Sequence, residues 1–341
     1  MPHVLSFIPS PPSNGIHIGP LFIHYYGLMY VIGITLAVII TRHRWRAMGG
    51  NPDLVGDVAI WAVPAGLIGA RIYFDITTPS DIPPHWWGVF AIWSGGLGIW
   101  GGIAGGAAAG IWRVRRAGAS AGLFANAIAP ALLVAQAVGR VGNYFNQELF
   151  GKPTSLPWGL EISAAHRPAG YLSHGTFQPT FLYEIIWDLA LAALLVWLGN
   201  HRRIRPWGLF ALYVAGYSAF RIFEESVRID SSEHFLGLRL NFYVAAVLTL
   251  IGLAWFIRAQ RGPALPPGSG TGDGSGPEAG TLAGPGAAAD DGRSDGPASD
   301  GGSGGGAPDG AAAAGRSEDG PDAIAAAETG DAATAGRVAD Q

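Results

Sequence analysis

Within the thirteen residues Gly139 to Gly151, GRVGNYFNQELFG, stand a cation, Arg140, two amides, Asn143 and Asn146, and a carboxylate, Glu148. They close an apolar run beginning near Leu123 that is long enough to cross a bilayer. Ionisable groups at the edge of hydrocarbon are costly and usually mark a site. A guanidinium there presents a planar fork of donors, the shape that grips a phosphate or carboxylate by paired hydrogen bonds. The plainer reading is a helix-terminal arginine snorkelling to the interface, with a capping loop after it.

The elements that must position these groups are apolar segments of spanning length, and seven can be marked. They run approximately Ile18–Ile40, Leu54–Phe74, Val89–Trp112, Leu123–Tyr144, Thr180–Leu198, Gly208–Val227 and Leu240–Ile257. The expected fold is therefore an all-α integral membrane protein of seven transmembrane helices. Arg42, Arg44, Arg46, Arg113, Arg115, Arg116, Arg202, Arg203, Arg205, Arg258 and Arg261 all fall on one side of that arrangement. The positive-inside rule makes this side cytoplasmic, with the N-terminus outside and the C-terminus inside.

The basic residues that break the rule are Arg71, Arg140, Lys152, Arg167, Arg221, Arg228 and Arg239. Arg71, Arg140 and Arg221 each close an outward-running segment, while Tyr26, Tyr183 and Glu184 lie near the outer ends of inward-running ones. The topology thus gathers them at one depth in the outer third of the membrane, where an anion from the outer leaflet could be held. The alternative is an internal network, with Arg221 on Glu225 at i, i+4 spacing and Arg71 on Asp57.

Composition divides the chain in two. Residues 1–261 carry 18 Lys/Arg against 12 Asp/Glu, and residues 262–341 carry three Arg against 13 Asp/Glu. The second part, rich in Gly, Ala, Pro, Ser and Asp, cannot bury enough apolar surface to order itself and is expected to be a disordered acidic tail. With no cysteine, the chain has no disulfide, no thiolate metal site and no cysteine nucleophile, so any thiol must come with a substrate. The start, MPHVLSFIPSPPSNG, lacks the basic region and unbroken apolar run of a cleavable signal peptide. The histidines have no metal-ligand spacing and there is no G-x-S-x-G elbow; neither a metal, a cofactor nor a nucleic-acid partner is expected.

In the third segment Gly98, Gly102, Gly106 and Gly110 recur every four residues, a stripe for close helix packing. Gly96, Gly98 and Gly101 spell a dinucleotide fingerprint, but inside an apolar span with no preceding strand it is read as packing glycine. Asp57 suits a helix N-terminus, and Asp188, one turn after Glu184, suits internal pairing.

Taken together, these motifs resemble the prolipoprotein diacylglyceryl transferase family of bacterial plasma membranes. The signature is Gly139 to Glu148 with Gly151 following, and Tyr144 stands where the family usually has Phe. HYYGLMYVIG with Tyr26, GLIGARIYF with Arg71, QPTFLYE ending at Glu184, and GYSAFRIFEESVRID with Tyr217, Arg221, Glu225 and Arg228 follow in the family's order. The resemblance implies transfer of the diacylglyceryl group of phosphatidylglycerol to the lipobox cysteine of a preprolipoprotein, leaving a thioether and glycerol phosphate. It implies that Arg140 and Arg221 hold the phosphate, that Asn143 and Glu148 orient Arg140 and the headgroup, and that Tyr26 meets the lipid or incoming chain. Arg71, Asn146, Gly151, Tyr217, Glu225 and Arg228 would complete the phosphatidylglycerol site.

Two positions depart from the family. Trp100 replaces a histidine proposed as the thiol's base, and Asn126 replaces an aspartate of the fourth helix. Glu148, Glu225 or solvent would then take the proton, or the arginines would lower the thiol pKa enough to need no dedicated base. Two other classes stay open: a non-catalytic protein that binds or transports anionic phospholipid, and a scaffold with structural ion pairs.

Overall fold

The computed structural model describes residues 7–92, 95–230, 234–235 and 237–261. The stretch 262–341, expected to be disordered, lies outside them. Seven long helices carry the apolar sequence: α1 (Tyr25–Ala47), α2 (Asp53–Thr77), α3 (Ile99–Arg116), α4 (Ala121–Asn146), α5 (Thr180–His201), α6 (Gly208–Val227) and α7 (Leu240–Arg261). Between them lie three two-stranded antiparallel ribbons: β1 (Gly15–Ile18) with β2 (Leu21–His24), β3 (Leu160–Glu161) with β4 (Thr176–Phe177), and β5 (His234–Phe235) with β6 (Leu238–Arg239).

Five helices, α1, α2, α4, α5 and α7, are long and apolar enough to cross a membrane. The other two sit where spans were expected, but each carries three charges: Arg113, Arg115 and Arg116 in α3, and Arg221, Glu224 and Glu225 in α6. Two expected boundaries are corrected. The first segment starts its helix at Tyr25 rather than Ile18, because Gly15–His24 pairs as a hairpin turning at a left-handed Gly19. The third begins at Ile99 rather than Val89, since Gly95 and Gly96 take left-handed backbone that no helix accommodates.

Neighbouring helices run antiparallel, as their close approaches show. α2 meets α3 through glycine: a Cβ on Gly101 would lie 2.1 Å from the Gly69 carbonyl oxygen, and one on Gly105 would lie 2.3 Å from that of Ala65. Of the expected stripe, Gly98 lies tight against the Tyr73 ring and Gly102, Gly106 and Gly110 make ordinary contacts with α2, while the closest backbone approaches are at Gly101 and Gly105, one register over. α1 crosses α4 at Gly33 against Ala135, and α7 crosses α6 at Gly252 against Ala215. α4 is the most buried helix, with Ala127, Ala129, Ala131 and Leu133 fully enclosed.

Three apolar clusters hold these elements. Trp45, Leu54, Val58, Val114 and Phe124 join α1 to α4 at one end. Leu133, Leu191, Leu195 and Leu209 pack α4 and α5 against the start of α6. Phe150, Leu160, Ile162 and Phe177 give the α4–α5 connection a small core of its own.

Asn126 joins α4 to the start of α6. Its side-chain amide donates to the Arg205 carbonyl at 2.8 Å, and its Oδ1 accepts from the Leu209 amide at 2.9 Å. α6 begins after a left-handed Trp207 with no side-chain cap of its own, so α4 supplies one. An aspartate could accept from Leu209 but could not donate to Arg205. Asn126→Ala is expected to cost about 1–3 kcal/mol of stability through the unmade buried bonds. A thermal midpoint in detergent unchanged by the substitution would refute that.

Candidate active site

The ends of α4 and α6 and the start of α5 converge on one polar cluster. Arg140 Nε lies 2.8 Å from Glu184 Oε2, a close charge contact without full hydrogen-bond alignment. Its Nη1 donates to Asn143 Oδ1 at 3.2 Å and its Nη2 to the Tyr217 hydroxyl at 3.4 Å. Tyr217 in turn donates to Glu184 Oε1 at 3.1 Å. Glu148 folds back over the helix end and accepts from Asn143 Nδ2 at 2.8 Å and Asn146 Nδ2 at 3.1 Å. Those two bonds fix which way the Asn143 amide faces, so its oxygen is the atom offered to Arg140. Asn143 and Glu148 thus form one hydrogen-bonded chain that ends on the Arg140 guanidinium.

The loop that returns Glu148 is held in an uncommon shape. Gln147 and Leu149 both have left-handed backbone, at φ 52° and 56°. For non-glycine residues this costs roughly 1–2 kcal/mol each. The shape is secured because Gln147 Oε1 accepts from the Ser163 amide at 2.8 Å and from Ser10 Oγ at 3.3 Å, while Thr180 Oγ1 donates to the Leu149 carbonyl. Gly151 next donates to the Gln178 carbonyl and pairs with Arg228, and a Cβ there would lie 2.7 Å from Val227 Cγ1. Its role is close backbone approach, clamping the loop to both α5 and α6. Gly142 is glycine because the Tyr26 ring lies against it; a Cβ would be 2.3 Å from Tyr26 Cδ2. The Tyr26 hydroxyl is 3.0 Å from that of Tyr30.

Arg221 carries the second guanidinium. It contacts Glu224 Oε2 at 2.8 Å and Glu225 Oε1 at 3.1 Å, so the expected i, i+4 pair is present together with an i, i+3 pair. Tyr217, which accepts from Arg140, stands one helical turn before Arg221 on α6, so both guanidiniums belong to one cluster. Beyond them, Arg228 binds Asp230 through Nε at 2.7 Å and Nη2 at 3.0 Å, and Arg239 joins Glu225 Oε2 at 2.6 Å to Asp230 Oδ2 at 2.9 Å. Burial pushes the Asp230 carboxyl up, but hydrogen bonds and charge from Arg228 and Arg239 outweigh it and leave it below the usual carboxylate range. What Asp230 contributes to holding this loop is thus complete above the ordinary carboxylate pKa and fades as pH falls through the lowered one.

Arg71 is placed differently from the expectation. Its guanidinium, in a side chain only 5% exposed, lies 3.0 Å from Asp75. It donates to the carbonyls of Gly88 at 2.6 Å, Val89 at 3.0 Å, Ala91 at 3.2 Å and Gly95 at 2.8 Å. These contacts occupy the guanidinium's donors with the α2–α3 connection, which has little regular structure to satisfy its own carbonyls. Arg71 pairs with Asp75 rather than Asp57, and Asp57 pairs with Arg113. Arg228 likewise turns its fork to Asp230. Trp100 stands half exposed at the start of α3. Glu224 and Arg239 joined the network without being singled out as site residues; Glu224 could have been found from its i+3 and i−4 spacing to Arg221 and Arg228.

The cluster thus comprises two neighbouring guanidiniums, a tyrosine and an amide–carboxylate brace at the ends of apolar helices. The family model described as prolipoprotein diacylglyceryl transferase matches residues 14–258, which contain every one of these groups. The chain belongs to the prolipoprotein diacylglyceryl transferase family. A phosphatidylglycerol–prolipoprotein diacylglyceryl transferase of Frankia alni is 48% identical over 248 residues, covering 72% of this chain and 65% of that protein. One from Streptomyces coelicolor is 42% identical over 268 residues, covering 76% and 84%, and one from Bifidobacterium adolescentis is 44% identical over 272 residues, covering 75% and 81%.

Proposed function

We propose that the chain transfers the diacylglyceryl group of phosphatidylglycerol to the lipobox cysteine of preprolipoproteins, with Arg140 and Arg221 holding the phosphate. The observation that carries this is the convergence of two arginines, from helices far apart in sequence, on one polar cluster. Arg221 keeps 23% of its side chain exposed and Arg140 11%, which leaves a headgroup oxygen an approach to both. As the glyceryl C–O bond breaks, negative charge grows on the phosphate oxygens, and preorganised guanidiniums stabilise it without reorganising. Asn143 and Glu148 keep Arg140 aimed, Tyr217 ties it to Glu184, and Tyr26 flanks the signature helix where lipid or peptide would pass.

All seven helices would span the bacterial plasma membrane, with the N-terminus outside and the C-terminus in the cytoplasm. The arginine-rich helix ends support that orientation, and the charges of α6 belong to the site rather than to a surface.

A structural scaffold is the second reading, because both arginines already contact carboxylates. Purified protein in vesicles, given labelled phosphatidylglycerol and a lipobox peptide, separates the readings. The expected result is a thioether product with release of glycerol phosphate. Lipid binding without turnover would favour a binding or transport protein, and neither binding nor turnover would favour the scaffold.

A further inference from the structure

On the seven-span arrangement the third crossing is too short as a helix. The uncharged part of α3, residues 99–112, rises about 21 Å at about 1.5 Å per residue. A hydrocarbon core is about 30 Å thick, so about 9 Å is left uncovered. Arg113, Arg115 and Arg116 fix the inner end of α3, which puts the shortfall at the outer end, ahead of Ile99.

The chain ahead of Ile99 runs down beside α2 over that same distance. The Gly98 amide donates to the Ala70 carbonyl at 2.8 Å. A Cβ on Gly98 would lie 2.3 Å from Tyr73 Cδ1, and one on Gly96 would lie 2.4 Å from Phe74 Cε1. Ala70 sits about 10 Å short of the end of α2 at Thr77. Residues 95–98 therefore stand at the depth of helix and not above it.

Backbone outside a helix is tolerated at that depth only where the protein satisfies its polar groups. Arg71 does so, donating to the carbonyls of Gly88, Val89, Ala91 and Gly95, while Asp75 at 3.0 Å balances its charge. In water those carbonyls would be solvated without a buried guanidinium. Between Asp81 and Arg113 the sequence has no Asp, Glu, Lys or Arg. The side chains this connection turns outward are apolar: Phe90 is 67% exposed, and Val89 and Ile92 are exposed beside it in the chain. Ile72 and Ile76 on α2 and Ile99 on α3 are exposed as well, so the apolar surface does not stop where the helices do.

We propose that the non-helical connection ahead of α3 lies in the outer leaflet and completes the third crossing, with Val89, Phe90 and Ile92 against lipid acyl chains and Arg71 satisfying its backbone. This rests on the seven-span arrangement. Trp86, almost fully exposed, and Trp87, stacked on His85, come just before it, where amphipathic rings rest at headgroup level. Arg71 then serves a length of immersed backbone rather than a phosphate.

The chain has no cysteine, so a single introduced one takes a nitroxide label uniquely. Full-length protein in phosphatidylglycerol vesicles is labelled at Phe90→Cys, with Ile68→Cys on the exposed face of α2 as the lipid reference and Ser173→Cys in an exposed outer loop as the aqueous one. Collisions are measured with oxygen, which partitions into lipid, and with a water-soluble nickel chelate. The expected result is oxygen above nickel at Phe90 and Ile68, and nickel above oxygen at Ser173. Arg71→Met, which keeps bulk but donates nothing, should shift Phe90 to the Ser173 pattern and leave Ile68 unchanged. Parent protein with the Ser173 pattern at Phe90 overturns the inference. So does an Arg71→Met protein that keeps the parent's pattern there, because the connection then stays immersed without the guanidinium. Phe90 screened from both reagents puts protein, not lipid, on the patch and overturns it equally. If Arg71→Met does not fold, the parent's Phe90 label decides. Nickel contact at Ile68 removes the seven-span arrangement and this inference together, whereas a lipid pattern at Ile68 beside a water pattern at Phe90 removes the inference alone.

Discussion

Arg140→Ala is expected to reduce kcat/KM by about 10³-fold or more, the largest catalytic loss of any single change in this protein. Removing one donor from a site of developing negative charge typically costs 10²–10³-fold. Arg140 is also what Asn143 presents its oxygen to and what neutralises Glu184, which is only 1% exposed. Truncation therefore also leaves a buried carboxylate uncompensated, a defect of about 3–5 kcal/mol in stability. The two effects separate in a double variant. Arg140→Ala with Glu184→Gln should recover much of the thermal midpoint while activity stays lost. Arg140→Lys should remain at least 10²-fold impaired, because an ammonium cannot reach Asn143, Tyr217 and Glu184 together as the planar fork does. More than a tenth of parent activity in Arg140→Ala would remove this arginine from the phosphate site.

Gly101→Val should have the largest effect on folding. A Cβ there would stand 2.1 Å from the Gly69 carbonyl oxygen and 2.4 Å from Tyr73 Cβ. The obstacle is backbone on the facing helix, which cannot swing aside as a side chain can. Overpacking in an ordinary core costs about 1–3 kcal/mol, and a clash with backbone exceeds that. The expected outcome is little or no monodisperse protein after extraction. Gly110→Ala is the matched control, since its Cβ would make only a 3.6 Å contact with Val58 Cγ1. Equal yields of the two variants would show that α2 and α3 do not depend on this approach.

Much of the site was legible because hydrocarbon makes charge conspicuous. Arg140 and Arg221 stood out against long apolar runs, and alternating helix direction alone brought them to one depth. Arg71 satisfied the same criteria yet serves the α2–α3 connection, since sequence position fixes depth but not the direction in which a guanidinium points. Its partners are backbone carbonyls, which leave no mark in side-chain spacing. Asp188 departs from expectation for a related reason. Being one turn from Glu184 suggests internal pairing, whereas among the described residues no cation stands at ion-pair distance from its oxygens. The helix starts at Tyr25 and Ile99 were hidden because the hairpin before α1 and the connection before α3 are as apolar as the helices they precede. The left-handed Gln147 and Leu149 could not be read at all, since what holds them comes from Ser10, Ser163 and Thr180.

The glycine seam between α2 and α3, with Arg71 gathering the strand of chain that links them, makes those two helices a single stiff leaf. That leaf packs on itself far more than on α1 or α4, and it is joined to them chiefly at the end where Trp45, Val58, Val114 and Phe124 meet. A change at Trp45 or Phe124 is therefore felt by both helices at once, because that apolar joint, at the end of α4 away from Arg140, is where the leaf meets its neighbours.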